Sequence, residues 1–404
     1  MASSTQHDSL YSWLRLAISL MIAIVGNAGM WAIILVLPSV QSEFGIDRAS
    51  ASLPFTLTML GFALGNFYMG KLADRYNIST VLLFSSIILA LCFIFAAQSS
   101  SILSLALIQF VIGFGTGASF GPVIADTSIW FLKKRGIAVA LAASGNYLSG
   151  VVWPIFTRDL LLNYGWRTVY LVLAIAAVLI MAPLSLALKR KISAESTQAD
   201  DLISQNRAQS TQLSPKSLQL FLGLAGLACC VAMSMPQVHI VAFCVDLGFG
   251  STVGGNMLSL MLAGGIVSRI VSGFLADKIG GLRTLLIGSG LQCIALFLYL
   301  PFNGLVSLYL VSLIFGLSQG GIVPSYAIVV REHMPAKEAG ARVGFVLMMT
   351  IVGMALGGWL SGWIYDLSGS YTLAFWNGIL WNLLNLVIIF SLLPKNIRKN
   401  LVTS

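Results

Sequence analysis

The sequence predicts an all-α membrane protein of twelve transmembrane helices, arranged as two pseudo-symmetric six-helix bundles. Three observations predict it. Of 404 residues, 57% are apolar and only 9% charged, against about a quarter charged in soluble domains. Twelve apolar segments approach or exceed the roughly 20 residues that cross a bilayer. A loop motif from the first half of the chain returns in the second.

The segments span approximately 13–40, 49–70, 78–97, 101–131, 137–160, 167–188, 217–245, 251–276, 282–301, 305–330, 340–365 and 372–393. The first run is too long for a signal peptide and no A-x-A-like site follows it, so it reads as a retained helix. The 39 glycines are spread through these segments, as expected where membrane helices pack through small residues. Cys92, Cys229, Cys230, Cys244 and Cys293 also fall inside them, with no C-x-x-C pair, and read as packing residues. The net charge of +9 follows topology and does not form a nucleic-acid patch. With the N-terminus inside, Arg48, Arg158 and Arg167 are external and Arg269 is mid-segment. The remaining Lys and Arg then lie in cytoplasmic loops or tails. That asymmetry places both termini in the cytoplasm of a plasma membrane, or an inner membrane in a bacterium.

Residues 189–216 are Ser/Gln-rich and charged, without an apolar stripe. They read as a cytoplasmic linker between bundles at 1–188 and 217–404. The bundles repeat each other. "GKLADR" (Gly70–Arg75) returns as "GFLADK" (Gly273–Lys278) at an offset of 203, which also relates Gly113, Gly117 and Gly150 to Gly316, Gly320 and Gly353. Gly165 and Thr168 match Gly369 and Thr372 at 204. Such paired repeats mark transporters whose halves rock about a central site.

"GGIVSRIVSGFLADKIG" (264–280) sets one arginine in the eighth segment. Helical spacing puts Gly265, Ser268, Arg269, Ser272, Gly273 and Ala276 on one face, and Ile266, Val267, Ile270, Val271, Phe274 and Leu275 on the other. The small neighbours would leave room for a water-filled cavity around the guanidinium. Arg269 lies eight residues before Asp277, roughly 12 Å along the axis, which is near the midplane. A charge there costs about 3 to over 10 kcal/mol, tolerated when it meets water, a partner or an anion. A guanidinium suits a carboxylate because its planar fork donates two parallel hydrogen bonds. The alternative is a structural arginine, paired with an acid or capping carbonyls. Arg269 is the one cation placed mid-segment, and one central cation points to a monoanion.

The chain resembles a major facilitator superfamily transporter, with "GKLADRYN" similar to that superfamily's loop between helices 2 and 3. "WFLKKRGIAVALAASGNYLSG" (130–150) resembles the fifth-helix signature of the monocarboxylate porters. "GWLSGWIYDLSGSYTLAF" (358–375) resembles the end of helix 11 in that group and its oxalate/formate relatives. The porters' helix 1 signature is matched only loosely by "NAGMW" (27–31). The resemblance implies the major facilitator fold and a substrate-binding role for Arg269, which matches the porters' helix 8 arginine. Where they often carry an aspartate four residues earlier, this chain has Gly265. It also implies a gate in which Asp126 pairs with Arg75. Asp74 would face the start of the eleventh segment, where the helix dipole favours a negative charge, and Asp277 repeats Asp74.

Other candidates come from position. Asn27 and Asn146 fall mid-segment and would either bind substrate or join helices. Trp31, Tyr147, Tyr326 and Trp359 would wall a pocket. His239, after Met235-Pro236, would carry a proton or make an interhelical hydrogen bond. Pro122 and Pro324, at matching places, would bend the fourth and tenth segments. The expected function is a secondary transporter that moves a small monocarboxylate with a proton by alternating access. It needs no cofactor, metal or nucleic acid, and works as a monomer in the bilayer. The alternative is a drug or metabolite efflux antiporter, although "GNYLSGVVWP" lacks the Gly-Pro pair common in such carriers. A sensor or scaffold would need a soluble domain. With no P-loop, H-E-x-x-H or G-x-S-x-G, the chain does not read as an enzyme.

Overall fold

The computed structural model describes residues 6–46, 48–198, 201–202, 214–301 and 304–393. The helices run α1 (Leu10–Gly26, then Ala28–Phe44), α2 (Arg48–Arg75), α3 (Ile78–Ala97), α4 (Ile102–Thr116, then Gly121–Trp130), α5 (Arg135–Tyr164) and α6 (Trp166–Ala176, then Ala182–Ala187). After the linker come α7 (Pro215–Asp246), α8 (Ser251–Ile279), α9 (Gly281–Leu298), α10 (Leu305–Gln319, then Ile322–His333), α11 (Ala339–Ser368) and α12 (Tyr371–Leu392). Among the described residues there is no strand. Eleven of the twelve are long and apolar enough to cross a membrane. The other, α2, has the length at 28 residues; its polar GKLADR end and Asn66 dilute its hydropathy.

The described chain forms two compact units. One comprises Met1–Lys133, Leu141–Asp201 and Pro335–Met348; the other comprises Lys134–Ala140, Leu202–Met334 and Met349–Ser404. They depart from a simple division at the linker in two short segments: the start of α5 belongs to the second unit and the start of α11 to the first. Part of the linker is itself ordered, with residues 194–198 helical. Ser193 and Ser196 bond Gln6, and the Asp201 carboxylate accepts from the Ala336 N–H at 2.8 Å.

Four repeated glycines set the packing within each unit. A Cβ on Gly113 or Gly117 would strike the backbone of α2 at Thr58 or Gly65. One on Gly316 or Gly320 would strike α8 at Met261 or Gly265. The α2–α4 and α8–α10 crossings are therefore backbone against backbone, which side chains larger than hydrogen forbid. Both helices break just past these glycines, and Pro122 and Pro324 lie in the first turn of the resumed helix. There a missing N–H costs little, so the prolines restart their helices and do not kink them. Pro236 likewise leaves α7 continuous.

Each unit carries its own core. In the first, Ile22, Ile33, Leu82, Leu89, Phe93, Ile112 and Leu173 pack together, with Gln109 bonding both Thr58 and Tyr170. In the second, Gln292 donates to the Cys229 carbonyl at 3.2 Å and Asn382 to the Ser289 carbonyl at 2.8 Å. Four of the five cysteines are buried, and all five are free thiols. Buried amides need such partners because hydrocarbon offers none.

Candidate functional site

Arg269 lies on α8 with only 4% of its surface exposed. Its Nε donates to the Gly320 carbonyl at 3.1 Å, at the break of α10. The neighbouring Ser268 hydroxyl accepts from the Gly321 N–H at 3.2 Å. The small face of α8 serves this crossing: the Gly265 backbone meets Gly320, and Ser272 fills the space a Cβ on Gly321 would need. The expectation that these small residues open a water-filled space is therefore corrected. They seat α10, and the guanidinium is enclosed at the seam.

The sequence argument missed a glutamine beside this seam. Gln319, the last residue before the break, is 1% exposed and accepts from Gln237 of α7 at 2.7 Å. Its own Nε2 donor is buried without a partner, a condition that costs about 1–3 kcal/mol. The available signal was a long polar side chain set directly before a Gly-Gly pair in an apolar segment.

His239 sits on α7 between α11 and α12. Its Nε2 lies 2.9 Å from the Gly358 carbonyl and its Nδ1 lies 3.3 Å from the Tyr371 hydroxyl. A carbonyl only accepts, so Nε2 carries the hydrogen in the neutral ring and the tyrosine donates to Nδ1. Tyr326 and Trp359, expected as pocket walls, are placed otherwise. Tyr326 is fully buried, with its hydroxyl bonded to Asn385. Trp359 is 65% exposed and stacks on Trp363. One fills the core because its hydroxyl finds an amide there; the other follows the exposed stripe of α11.

In the first unit, three of the predicted residues meet. Asn146 Nδ2 donates to Asn27 Oδ1 at 3.2 Å, and Trp31 Nε1 donates to the Asn146 carbonyl at 2.9 Å. Asn27 also donates to the Ala23 carbonyl at 2.7 Å and marks the break in α1. Gly150 lies flat against the Trp31 ring. Tyr147 is half-buried on the adjoining turn of α5.

The loop aspartates act alike. Asp74 accepts from the N–H groups of Gly340 and Ala341 at 2.8 and 2.7 Å, at the start of α11. Asp277 accepts from those of Gly136 and Ile137 at 2.5 and 3.1 Å, at the start of α5. Each carboxylate satisfies otherwise unbonded amides and meets the positive end of the dipole. Gly340 and Gly136 admit the approaching backbone of Gly70 and Gly273.

The expected Asp126–Arg75 pair is corrected. Asp126 takes two bonds from Arg15, at 2.8 and 2.9 Å, while Arg75 lies over the Tyr76 ring. Arg15 wins because it is almost wholly buried and its other donors reach the Leu188 and Arg190 carbonyls, each at 3.1 Å. Arg15 thus joins α1, α4 and the linker; lying at the cytoplasmic start of the first segment, it read as a topology determinant. Beside the pair is a cavity of about 500 Å³, lined by Arg15, Asp126, Trp130, Arg190 and Lys337 among others. None of the expected substrate-contacting residues lines it.

Comparison with known proteins decides the family. The Major Facilitator Superfamily model matches residues 19–341 and, separately, 220–403. The chain belongs to the major facilitator superfamily. It is 28% identical over 334 residues to monocarboxylate transporter 13 of Rattus norvegicus, covering 80% of this chain and 74% of that protein. It is 23% identical over 352 residues to agnestins efflux protein AgnL12 of Paecilomyces divaricatus, covering 84% and 77%. In fold it is similar to the E. coli fucose:proton symporter FucP, with a TM-score of 0.71 at 14% identity over 94% of this chain and 98% of that one. It is similar also to the proton:xylose symporter XylE, with a TM-score of 0.73 at 13% identity over 94% and 95%. Identities this low establish the major facilitator fold and not a substrate. The chain is thus a multi-pass membrane protein of a transporter superfamily.

Proposed function

We propose that this superfamily member is a secondary transporter of a small monocarboxylate, moved with a proton by alternating access. The observation that carries the reading is the buried Arg269 at the α8–α10 seam, a cation in the apolar span, beside the unpartnered donor of Gln319. The guanidinium supplies charge and a planar fork, and the amide adds a neutral donor. Asn27, Asn146, Trp31 and Tyr147 form a separate polar group within the first unit and are a second candidate for substrate contact. One cation for one carboxylate keeps the charge balance even, and a co-transported proton makes the cycle electroneutral. Similarity to a protein named as a monocarboxylate transporter supports this substrate class. His239 is the proton carrier.

In this reading the +9 charge orients both termini to the cytoplasm of the plasma membrane. Asp74 and Asp277 then hold the cytoplasmic starts of α11 and α5, and Asp126 with Arg15 braces the same side. These bonds, with Arg75 at the loop, form a gate that breaks as the carrier turns over. The unit of function is the monomer.

The test is uptake of labelled short monocarboxylates into proteoliposomes under an acid-outside gradient. Arg269→Gln is expected to lower uptake roughly 100-fold, corresponding to the loss of a buried charge contact of about 3 kcal/mol. Uptake that survives the substitution assigns Arg269 to structure alone. A second reading, export of a larger metabolite, draws on the similarity to a protein named as an efflux carrier. It is favoured instead if no acid accumulates inward and an outward gradient drives release.

A further inference from the structure

Three hydroxyls of the first unit are buried without a partner. Thr116, Ser119 and Ser149 are each 0% exposed, and among the described residues none of their hydroxyl oxygens has a hydrogen-bond partner. A hydroxyl in a membrane helix can return its hydrogen to a carbonyl one turn back. Thr58 does so to Pro54 and Thr157 to Trp153, each at 2.7 Å. These three do not, and a polar atom left unmatched in hydrocarbon is costly.

All three face the same two turns of α1. On α4, Ile112 occupies the place a Cβ on Gly29 would take, and Ser119 the place of one on Gly26. Thr116 lies between them, one turn past Ile112. On α5, Gly145 lies against Ala23, and Trp153 Nε1 donates to the Ile24 carbonyl at 2.9 Å. Ser149 is one turn from each and shares their face.

The stretch they meet, residues 23–29, contains the break of α1 at Asn27. A helix that stops leaves its last carbonyls without intrahelical partners. Those of Ala23 and Ile24 are taken by Asn27 and Trp153; those of Val25 and Gly26 follow, at the break itself. α4 is interrupted opposite, between Thr116 and Gly121, and its resumed half is already capped by Asn66 Oδ1 at the Gly121 N–H. The fold does not require this set of oxygens. At the offset of 203 the second unit carries Gln319, Ile322 and Val352 in place of Thr116, Ser119 and Ser149. There α7 also runs unbroken from Pro215 to Asp246.

Hydroxyl and carbonyl oxygens are hard ligands, suited to alkali and alkaline-earth ions and not to copper or zinc. The acid on this side of α4, Asp126, is engaged by Arg15. Among the described residues no three His, Cys, Asp or Glu side chains gather to hold a metal. A neutral ligand set in hydrocarbon fits a single charge. The packing fits a small ion, since the Ser119 hydroxyl stands 1.8 Å from where a Gly26 Cβ would be.

We propose that the first unit binds a sodium ion where α1 and α4 are interrupted. The Thr116, Ser119 and Ser149 hydroxyls and the Val25 and Gly26 carbonyls supply its oxygens. Interrupted helices offer such ligands because their unwound carbonyls have no other partner. The inference goes beyond the carboxylate reading and adds an alkali ion to the partners expected above: Arg269 serves an anion in the second unit, and the first unit takes a cation.

The experiment follows thermal unfolding of the full-length protein in detergent at fixed pH. Sodium chloride replaces choline chloride stepwise at constant ionic strength. A bound ion stabilises the folded state by mass action, so the melting temperature of the wild type is expected to rise with sodium and then level off. Ser119→Ala and Ser149→Ala each remove one oxygen and add no bulk. They are expected to melt near the wild type in choline and to need about tenfold more sodium for the same rise, the scale on which single groups tune metal affinity. Equal melting in sodium and choline overturns the site, because the hydroxyls then hold water at most. A sodium response unchanged in both variants also overturns it, because the ion then binds elsewhere. The salt response needs no transport, so its failure leaves the carboxylate reading standing, and failure of carboxylate uptake leaves the ion site standing.

Discussion

Asn66 and Arg269 occupy the same place in the repeat, 203 residues apart, one at the α2–α4 crossing and the other at α8–α10. Asn66 does a local job completely: its Oδ1 accepts from the Gly121 N–H at 2.9 Å and its Nδ2 donates to the Phe62 carbonyl at 2.7 Å. In the second unit Ser268 already accepts from the broken helix. Arg269 donates to Gly320 from Nε, a bond a neutral donor could make. Sealing a broken helix therefore needs only an amide or a hydroxyl. The bond to Gly320 does not by itself call for a charge, and a charge in hydrocarbon is expensive. A cost retained at one of two equivalent positions points to a task the other does not share.

The sharpest way to break this comparison is Arg269→Asn, which gives the second crossing the side chain of the first. Carboxylate uptake is expected to fall on the order of 100-fold, while thermal stability in detergent stays close to wild type. A large fall in stability with it makes the arginine a structural element and removes the contrast with Asn66.

Next come the crossings themselves. Gly117→Ala and Gly320→Ala each drive a methyl into facing backbone, which cannot rotate away as a side chain would. Overpacking of this kind costs about 1–3 kcal/mol, and the two variants are expected to lose melting temperature to a similar degree. Tolerance of one and not the other, read from thermal unfolding, shows that the crossings differ in backbone as well as furnishing.

A smaller effect is expected at Gln319. Gln319→Leu removes the unpartnered donor but also the acceptor of the Gln237 bond, so the two costs offset and stability changes little. The half-saturation concentration for carboxylate rises about fivefold, the worth of roughly 1 kcal/mol for one neutral hydrogen bond. An unchanged value removes Gln319 from the substrate contact and leaves Arg269 alone.

These contrasts also mark what was legible beforehand. Gly70–Arg75 and its echo at Gly273–Lys278 announced two equivalent bundles, and the spaced glycines announced close crossings, because backbone approach tolerates so few residue types. Arg269 was legible because a charge in an apolar run is costly wherever it points. Its surroundings were not: whether Gly265 and Ser272 face water or another helix depends on tertiary packing, which helical spacing leaves open. The partner of Asp126 was misjudged for the same reason. Arg15 and Arg75 both end near the loop side, and only the linker carbonyls at Leu188 and Arg190 decide between them. Trp359 and Tyr326 show that an aromatic in a membrane helix carries no signal of which way it faces.

The smallest expected effect tests the ion pair at the end of α1, where Glu43 accepts from Arg167 at 2.7 Å and from the Trp166 indole at 2.6 Å. The Glu43 carboxyl is held below the ordinary carboxylate range, first by its bond from Arg167 and then by that from Trp166. A folded-state value below the unfolded one means the stabilisation is complete above the unfolded value, about 4.3. It is lost as pH falls through the folded one. Both side chains are 40% exposed, so solvent screening keeps the contribution to at most about 1 kcal/mol. Melting temperature is therefore expected to drop slightly on acidification below about pH 4, and Glu43→Gln to flatten that part of the curve. Arg167→Tyr, which places there the residue type found 204 positions on at Tyr371, is expected to produce the same flattening. If it leaves the acid limb intact, the arginine is not what holds Glu43 ionised, and the bond from Trp166 must do so alone.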